Sequence, residues 1–127
     1  MNVSDLVRLV TEAAAKIHGA IGPGCFETTY EEVLYYELSK KGLLLEREVM
    51  MPVLYERLVI NDAFKIDMLV DQQLVIEVVA VDKVLPVHFK LVKGYLKLLK
   101  LSNGLLINFK TDSLKDGVHR VLSEGGK

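Results

Sequence analysis

The sequence has few of the features that indicate disulfide, zinc or membrane chemistry. One cysteine in 127 residues excludes an internal disulfide, and a reducing cytoplasm is the expected location. No apolar run approaches the roughly 20 residues of a membrane-spanning helix, and the first ten residues lack the basic and apolar segments of a secretory leader. Zinc-ligand spacings, a glycine-rich phosphate loop and internal repeats are also missing. These absences favour one globular domain over residues 1–127, with no membrane contact.

The charge is almost balanced over the whole chain but is unevenly distributed along it. The formal net charge is −1 at pH 7, with −4 on residues 1–63 and +3 on residues 64–127. A total near zero argues against strong nonspecific binding to nucleic acid, while a basic second half leaves room for a local cationic patch. Hydrophobic residues make up 50% of the chain, which is typical of a folded protein.

Two short strands on either side of a polar turn carry the most informative residues. Residues 64–70 and 74–81 are rich in apolar and β-branched side chains, which predicts a hairpin. Glu77 interrupts an apolar run of the kind found in buried strands, and a lone buried carboxylate costs several kcal/mol unless it is paired, protonated or metal-bound. Asp67 lies in the middle of the preceding strand. Two acids on one face of a hairpin could bind a divalent cation through their oxygens.

The spacing of apolar residues predicts the remaining helices and strands. Helices are expected over roughly residues 4–18, 26–41 and 86–100, and from 111–113 to about 122. Strands are expected over roughly residues 43–55, 58–60 and 105–109, with a break at Asn61-Asp62 before residue 64. The predicted order is therefore ααβββαβα, with a mixed sheet because the third helix returns the chain parallel to the sheet. Residues 123–127 are expected to fray.

An ordered series of short segments resembles one known family. The central segment is Gly24-Cys25-Phe26-Glu27-Thr28-Thr29-Tyr30. Further matching segments are Ile17–Gly24, Tyr30–Glu32, Pro86–His88, Tyr95–Lys97 and Gly104–Phe109. The likeness runs from about Leu6 to Leu122 and is similar to the GxxExxY proteins, a small branch of the PD-(D/E)xK nuclease superfamily.

This resemblance implies an α/β, restriction-endonuclease-like core with a mixed central sheet flanked by helices. In working members of the superfamily, two strand acids bind magnesium and a nearby lysine helps to position or activate the attacking water. Asp67 and Glu77 match the two acids, and Glu27 matches a helix acid that often joins the metal shell. Val79 occupies the lysine position, and Leu91 stands where a glutamine is frequent. The resemblance therefore implies Mg²⁺ at Asp67 and Glu77 with impaired catalysis.

Three functional interpretations stay open. The first is a catalytically impaired nuclease-fold domain that binds nucleic acid or a partner. The second is a weak magnesium-dependent phosphodiesterase in which Lys65, Lys83 or Lys90 replaces the missing lysine. The third is a homodimeric interaction scaffold, which would need an exposed apolar surface, for example near Met50-Met51.

Each candidate residue also has an ordinary structural explanation. Glu27 would favour the first turn of a helix, Asp67 would be a solvent-exposed edge-strand acid, and Glu77 would be neutralised by Lys65. A stripe of lysines recurs at intervals of three, four and three residues on the third helix, and it is either a solvated surface or a contact for phosphates. The stripe consists of Lys90, Lys93, Lys97 and Lys100.

Overall fold

A computed structural model describes residues 1–123 of the chain. In this part the chain forms three helices and five strands. The helices are α1 (Val3–Ile21), α2 (Glu27–Ser39) and α3 (Pro86–Leu99). The strands are β1 (Leu45–Tyr55), β2 (Leu58–Val70), β3 (Leu74–Val79), β4 (Asn103–Asn108) and β5 (Val118–Leu122). None of these helices is long and apolar enough to cross a membrane. The chain therefore has the α/β fold that the sequence predicts.

All five strands belong to one mixed sheet, in the order β1-β2-β3-β4-β5. Neighbouring strands are antiparallel except β3 and β4, which run parallel with Glu77 opposite Leu106. Helix α3 makes the crossover between these two strands, as expected of a parallel connection. The polar turn at residues 71–73 joins β2 to β3, so the predicted hairpin is confirmed.

The sheet separates two apolar layers. The larger layer packs α1 and α2 against one face, with Leu6, Tyr30 and Phe109 all completely buried. The smaller layer packs α3 against the other face and contains Val79, Tyr95 and Leu106. Alternate residues of β3 enter the two layers, because side chains along a strand point to opposite faces. The side chains of Val75 and Val79, which lie in the α3 layer, thus place Glu77 between them on the same face.

The β1–β2 hairpin extends beyond both layers. Its outer part, residues 50–63, carries large apolar side chains that remain accessible, including Leu54 at 72% and Tyr55 at 66% exposure. Met50 is also exposed, so the apolar surface expected near Met50-Met51 is present. Val53 and Phe64 of this hairpin line a groove of about 620 Å³ against α3.

Two of the predicted elements differ from the structure. The predicted last helix is wrong: residues 114–117 form a 3₁₀ turn, and Val118–Leu122 form β5 beside β4. Gly117 approaches the main chain so closely that a Cβ there would lie 2.2 Å from the carbonyl oxygen of Asn108. Glycine is unfavourable within a helix, and the unpaired edge of β4 offers hydrogen bonds that a helix would leave unused.

The expected break at Asn61-Asp62 is also wrong. Strand β2 continues through it, although its register against β1 shifts there, with Met51 opposite Phe64 and Val53 opposite Ile60. Asp62 absorbs this irregularity with a φ of 58°, a left-handed conformation that aspartate tolerates better than most residues. The expected fraying of residues 123–127 concerns a segment that lies, apart from Ser123, outside the described residues.

Candidate active site

Asp67 lies where β2 and β3 separate. The pairing between these strands runs from Val70 and Leu74 to Met68 and Ile76 and ends there. One residue further on, Asp67 Oδ2 accepts a hydrogen bond of 2.9 Å from the amide of Val78. The carboxylate thus takes the place of a main-chain acceptor at the point where the ladder stops. Asp67 is half-buried on an interior strand, so its interpretation as an exposed edge-strand acid is wrong.

The Glu77 carboxyl meets Asp67 in this opening. Asp67 lies close enough to Glu77 to raise its pKa through both its charge and its hydrogen-bonding capacity, and a hydrogen bond between two carboxyls requires a proton on one of them. The second oxygen, Glu77 Oε1, is buried and has no hydrogen-bond partner among the described residues. A buried polar atom without a partner costs about 1–3 kcal/mol. This oxygen is therefore available to a ligand that the chain itself does not supply.

The pKa values of Asp67 and Glu77 lie well above those of ordinary carboxyl groups. Burial, followed by the charge and hydrogen bond of Asp67, raises the pKa of Glu77 to about 8. Burial also raises the pKa of Asp67 to about 6, against the opposing effect of the Val78 amide. Two carboxyls in contact cannot both ionise easily. Near neutral pH the pair therefore retains a proton unless a cation replaces it.

Helix α2, which packs on the opposite face of the sheet from α3, brings two further acids near the acid pair. Glu27 Oε2 accepts a hydrogen bond of 3.1 Å from the amide of Ala80, just beyond β3. Glu31, one turn later, is almost completely buried. The charges of both glutamates raise the pKa values of Asp67 and Glu77. Glu27 thus lies near the acid pair, but a main-chain amide already occupies one of its oxygens.

Arg47 is a cation of this region that the sequence did not reveal. Its Nε donates a 2.6 Å hydrogen bond to Glu31 Oε2, and the arginine side chain is 28% exposed. A buried carboxylate needs a partner of this kind. The sequence contained one signal for such a partner, because Glu31 is an acid on the buried side of α2 next to Tyr30 and Leu34.

The loop before α2 is held in place by Tyr30. The Tyr30 hydroxyl donates a hydrogen bond to the carbonyl of Gly22 and accepts one of 3.1 Å from the amide of Cys25. Its ring stacks on Phe109, with 4.4 Å between ring centroids. This explains the spacing of the central segment: the tyrosine fixes the loop, and the loop sets the start of the helix that carries Glu27.

The α3 side of the acid pair is apolar. Val79, which the sequence resemblance places at the lysine position, is 5% exposed and packs in the layer that contains Tyr95. Tyr95 donates a 3.1 Å hydrogen bond to the carbonyl of Lys65, and burial together with the charges of Glu77 and Asp67 raises its pKa to about 12. Leu91 is partly exposed and lines the groove. Val79 therefore gives the pair neither a charge nor a hydrogen-bond donor.

The three candidate replacement lysines lie in different places. The charge of Lys65 lowers the pKa of Asp67, but its Nζ lies 3.9 Å from Glu48 Oε2. Because Glu77 Oε1 has no partner, the expectation that Lys65 neutralises Glu77 through a direct ion pair is wrong. Lys90 lines the groove beside α3, and Lys83 is exposed in the loop before that helix. Lys65 is the candidate whose charge acts on the acid pair.

The lysine stripe follows α3 along this groove. Lys90 and Lys97 line it together with Leu91, Tyr95 and Leu98. Lys100 is exposed just after the helix, and Lys93 is half-buried. The stripe thus combines exposed cations with a concave apolar surface that reaches Tyr95, beside the acid pair.

The three histidines have structural partners. His18 Nε2 lies 2.7 Å from the carbonyl of Thr111, and His88 Nδ1 accepts a 2.9 Å hydrogen bond from the amide of Leu85, which caps the start of α3. His119 packs edge-to-face on Phe89. These contacts assign the histidines to the scaffold.

The donor set fits one divalent cation held by Asp67 and Glu77. Within residues 1–123, no group of three or more histidine, cysteine or acidic side chains forms a metal cage. Magnesium does not need one, because it usually keeps several waters and binds one or two carboxylates. The partnerless Glu77 oxygen and the mutual repulsion of the two acids are the features that a cation would relieve.

A mixed sheet that opens beside two half-buried acids, with helices on both faces, defines a nuclease-like α/β class of protein. The family model of the PD-(D/E)XK nuclease superfamily matches residues 4–121, and the chain belongs to that superfamily. No curated protein and no solved structure matches the chain.

Proposed function

We propose that this chain is an impaired nuclease-fold domain of the GxxExxY branch, which binds a divalent cation at Asp67 and Glu77 and a nucleic-acid phosphate beside it without cutting efficiently. The carrying observation is the acid pair with its partnerless buried oxygen next to an apolar Val79. The branch assignment rests on the roles of Glu27 and Tyr30 at the centre of the family signature.

The proposal of a cation follows from the charges around the pair. Asp67 and Glu77 are in contact, and Glu27 and Glu31 add negative potential. Of these four acids, Glu31 alone has a short ion pair within residues 1–123, to Arg47. A bound Mg²⁺ would offset this repulsion through hard oxygen ligands and would supply Lewis-acid polarisation of a phosphate.

The proposal of impaired cleavage follows from the opposite side of the pair. A fixed cation or donor aimed at the charge developing on a phosphate is often worth about 3 kcal/mol, on the order of a hundredfold or more in rate. Val79 provides neither, because its side chain is part of the α3 core. The chain therefore retains the two acids that bind the metal ion and lacks the cation or hydrogen-bond donor that would stabilise the phosphate.

Nucleic acid is proposed as the ligand because the groove beside α3 joins exposed lysines to the acid pair. Lys90 and Lys97 flank this groove, and Tyr95 connects it to Glu77 and Asp67 electrostatically. Such binding would be mainly electrostatic and would weaken with salt.

Calorimetric titration with Mg²⁺ and Mn²⁺ tests whether the acid pair binds a divalent cation. A cleavage assay on single-stranded and duplex DNA and RNA tests for catalysis. Wild type should bind the cation at pH 8 and cut weakly or not at all, while Glu77→Gln, which keeps the shape but not the charge, should lose cation binding. Absence of binding by wild type would remove the metal centre. Strong cleavage that disappears in Glu77→Gln would show that catalysis is intact.

A weak phosphodiesterase that uses Lys65 is the second candidate, because this lysine already lowers the pKa of Asp67. If wild type shows residual cleavage, Lys65→Met should abolish it while leaving cation binding unchanged. Lys83→Met and Lys90→Met serve as matched controls, since each removes one lysine elsewhere. Equal loss in all three variants would contradict a specific role for Lys65.

A further inference from the structure

Phe26 is an aromatic side chain that the fold leaves in solvent. It is 82% exposed, whereas Tyr30, one turn later on α2, is completely buried. An apolar residue at the start of a helix often packs against the helix and fixes the entry of the chain. At 82% exposure Phe26 does not make that contact, so packing does not explain an aromatic residue here.

Phe26 forms one wall of a small cavity. The cavity, of about 270 Å³, lies between the loop of residues 23–26 and the positions of Ala80 and Lys110. The loop is held in place by the hydrogen bonds of Tyr30. Phe26 is therefore displayed from a fixed backbone, which lowers the entropy cost of using it as a contact surface.

The cavity adjoins the acid pair. Glu27, the residue after Phe26, is hydrogen-bonded to the amide of Ala80, three residues after Glu77. The Glu27 charge also acts on both Asp67 and Glu77. Glu27 and the end of β3 thus join the cavity to the acid pair.

Lys110 adds a cation to the rim of the cavity. Its Nζ lies 2.7 Å from Asp82 Oδ1, but Asp82 is 90% and Lys110 47% exposed. Exposed ion pairs of this type contribute little to stability, so the lysine can turn to a phosphate at small cost. An aromatic face beside a cation suits a base and its phosphate.

We propose that Phe26 is a stacking platform for one base of a single-stranded nucleic acid, with Lys110 contacting the phosphate next to that base. This inference rests on the proposed binding of nucleic acid at the acid pair. A single strand is the fitting ligand because bases in a duplex already stack on their neighbours, whereas unpaired bases have free faces for aromatic side chains. The subsite tolerates any base, since each has a π-face.

Fluorescence anisotropy of a labelled single-stranded oligonucleotide, with Ca²⁺ in place of Mg²⁺, tests the platform. Phe26→Ala should weaken binding about tenfold, within the range seen for loss of one base–aromatic stack. Phe26→Trp should retain wild-type affinity or improve it. Phe26→Leu is the decisive control, because it keeps apolar bulk without an aromatic face and should behave like alanine. Affinity for duplex of the same length should change less than twofold.

The outcomes separate this subsite from the function on which it rests. If wild type binds no oligonucleotide at low salt, both proposals fail. If wild type binds and Phe26→Ala binds equally well, or Phe26→Leu matches Phe26→Trp, the platform alone is overturned. Light scattering provides a further check: if the particle mass falls to that of a monomer in Phe26→Ala, Phe26 contacts a second copy of the chain and the base-stacking role is rejected.

Discussion

The two sides of the acid pair are built in opposite ways. On the α2 side, Glu27 is bonded to a main-chain amide and Glu31 to Arg47, so polar groups are placed and paired. On the α3 side, Val79 and Tyr95 belong to an apolar layer. Under the proposed function, cation binding would therefore depend on the α2 side, and stabilisation of a phosphate would depend on a charge on the α3 side that Val79 does not provide.

The largest expected effect comes from removing the cationic partner of Glu31 on the α2 side. Arg47→Met should lower the free energy of unfolding by about 3 kcal/mol, because it leaves Glu31 buried without its partner. Urea denaturation measures the loss. The double variant Arg47→Met with Glu31→Gln should recover most of it, since the stranded charge is gone. If Arg47→Met lowered the free energy of unfolding by less than about 1 kcal/mol, the Arg47–Glu31 pair would contribute little to the stability of the α2 side.

The next effect comes from giving the α3 side a charge. Val79→Lys should raise magnesium-dependent cleavage by on the order of a hundredfold. The alkyl stem can stay in the core while the ammonium reaches towards Glu77, whose face it shares. Val79→Met is the control, with similar length and no charge. Equal cleavage rates in the two variants would show that the missing charge does not limit the chemistry, and Leu91 would become the next position to change.

The pH dependence of stability should reveal the pair without any ligand. An ordinary glutamate loses its proton near pH 4.5, whereas folded Glu77 has a pKa raised to about 8. Between these values the folded state keeps a proton that the unfolded state has released, so stability is full below the lower pH and falls as pH rises through the higher one. Wild type without divalent cation should lose several degrees of Tm between pH 5 and pH 9.

Glu77→Gln should flatten that decline, because an amide does not titrate. Added Mg²⁺ should restore the wild-type Tm at pH 9 and leave Glu77→Gln unchanged. Thermal melts across the pH range check both expectations. A wild-type decline that is as steep in Glu77→Gln would assign it to other groups.

The smallest effect is expected at the lysine stripe. Lys90→Ala with Lys97→Ala should flatten the plot of log affinity against log salt for duplex DNA by roughly 2 units, one for each lost phosphate contact. Lys41→Ala with Lys115→Ala removes the same charge away from α3 and should leave the slope almost unchanged. If both double variants change the slope equally, the groove has no special role.

The sequence predicts the acid pair better than its surroundings. Strand alternation and the turn between β2 and β3 were enough to expect Asp67 and Glu77 near each other. The hydrogen bond from Val78 to Asp67 could not be expected, because it depends on the separation of two strands that the sequence describes as one hairpin. Arg47 was missed since it lies sixteen residues from Glu31, a distance at which no local pattern links two side chains.

The end of the chain shows a different limit. Leu114, Val118, Val121 and Leu122 fit helical spacing, yet the last five described positions before Ser123 form β5. The decisive facts were tertiary: a free edge on β4 and the close approach of Gly117 to Asn108. The spacing of apolar residues contains no information about these tertiary contacts, so it predicts a helix here.

The hydrogen bonds of the two acids also determine how each would respond to relaxed selection. Asp67 completes the sheet by accepting the Val78 amide, so the fold itself would resist its replacement even in a lineage with no chemistry left. Glu77 gives the fold no such benefit, because one oxygen has no partner and burial disfavours its charge. Without a ligand to hold, Glu77 would therefore be replaced more readily than Asp67, so any requirement for Glu77 comes from a ligand and not from the sheet.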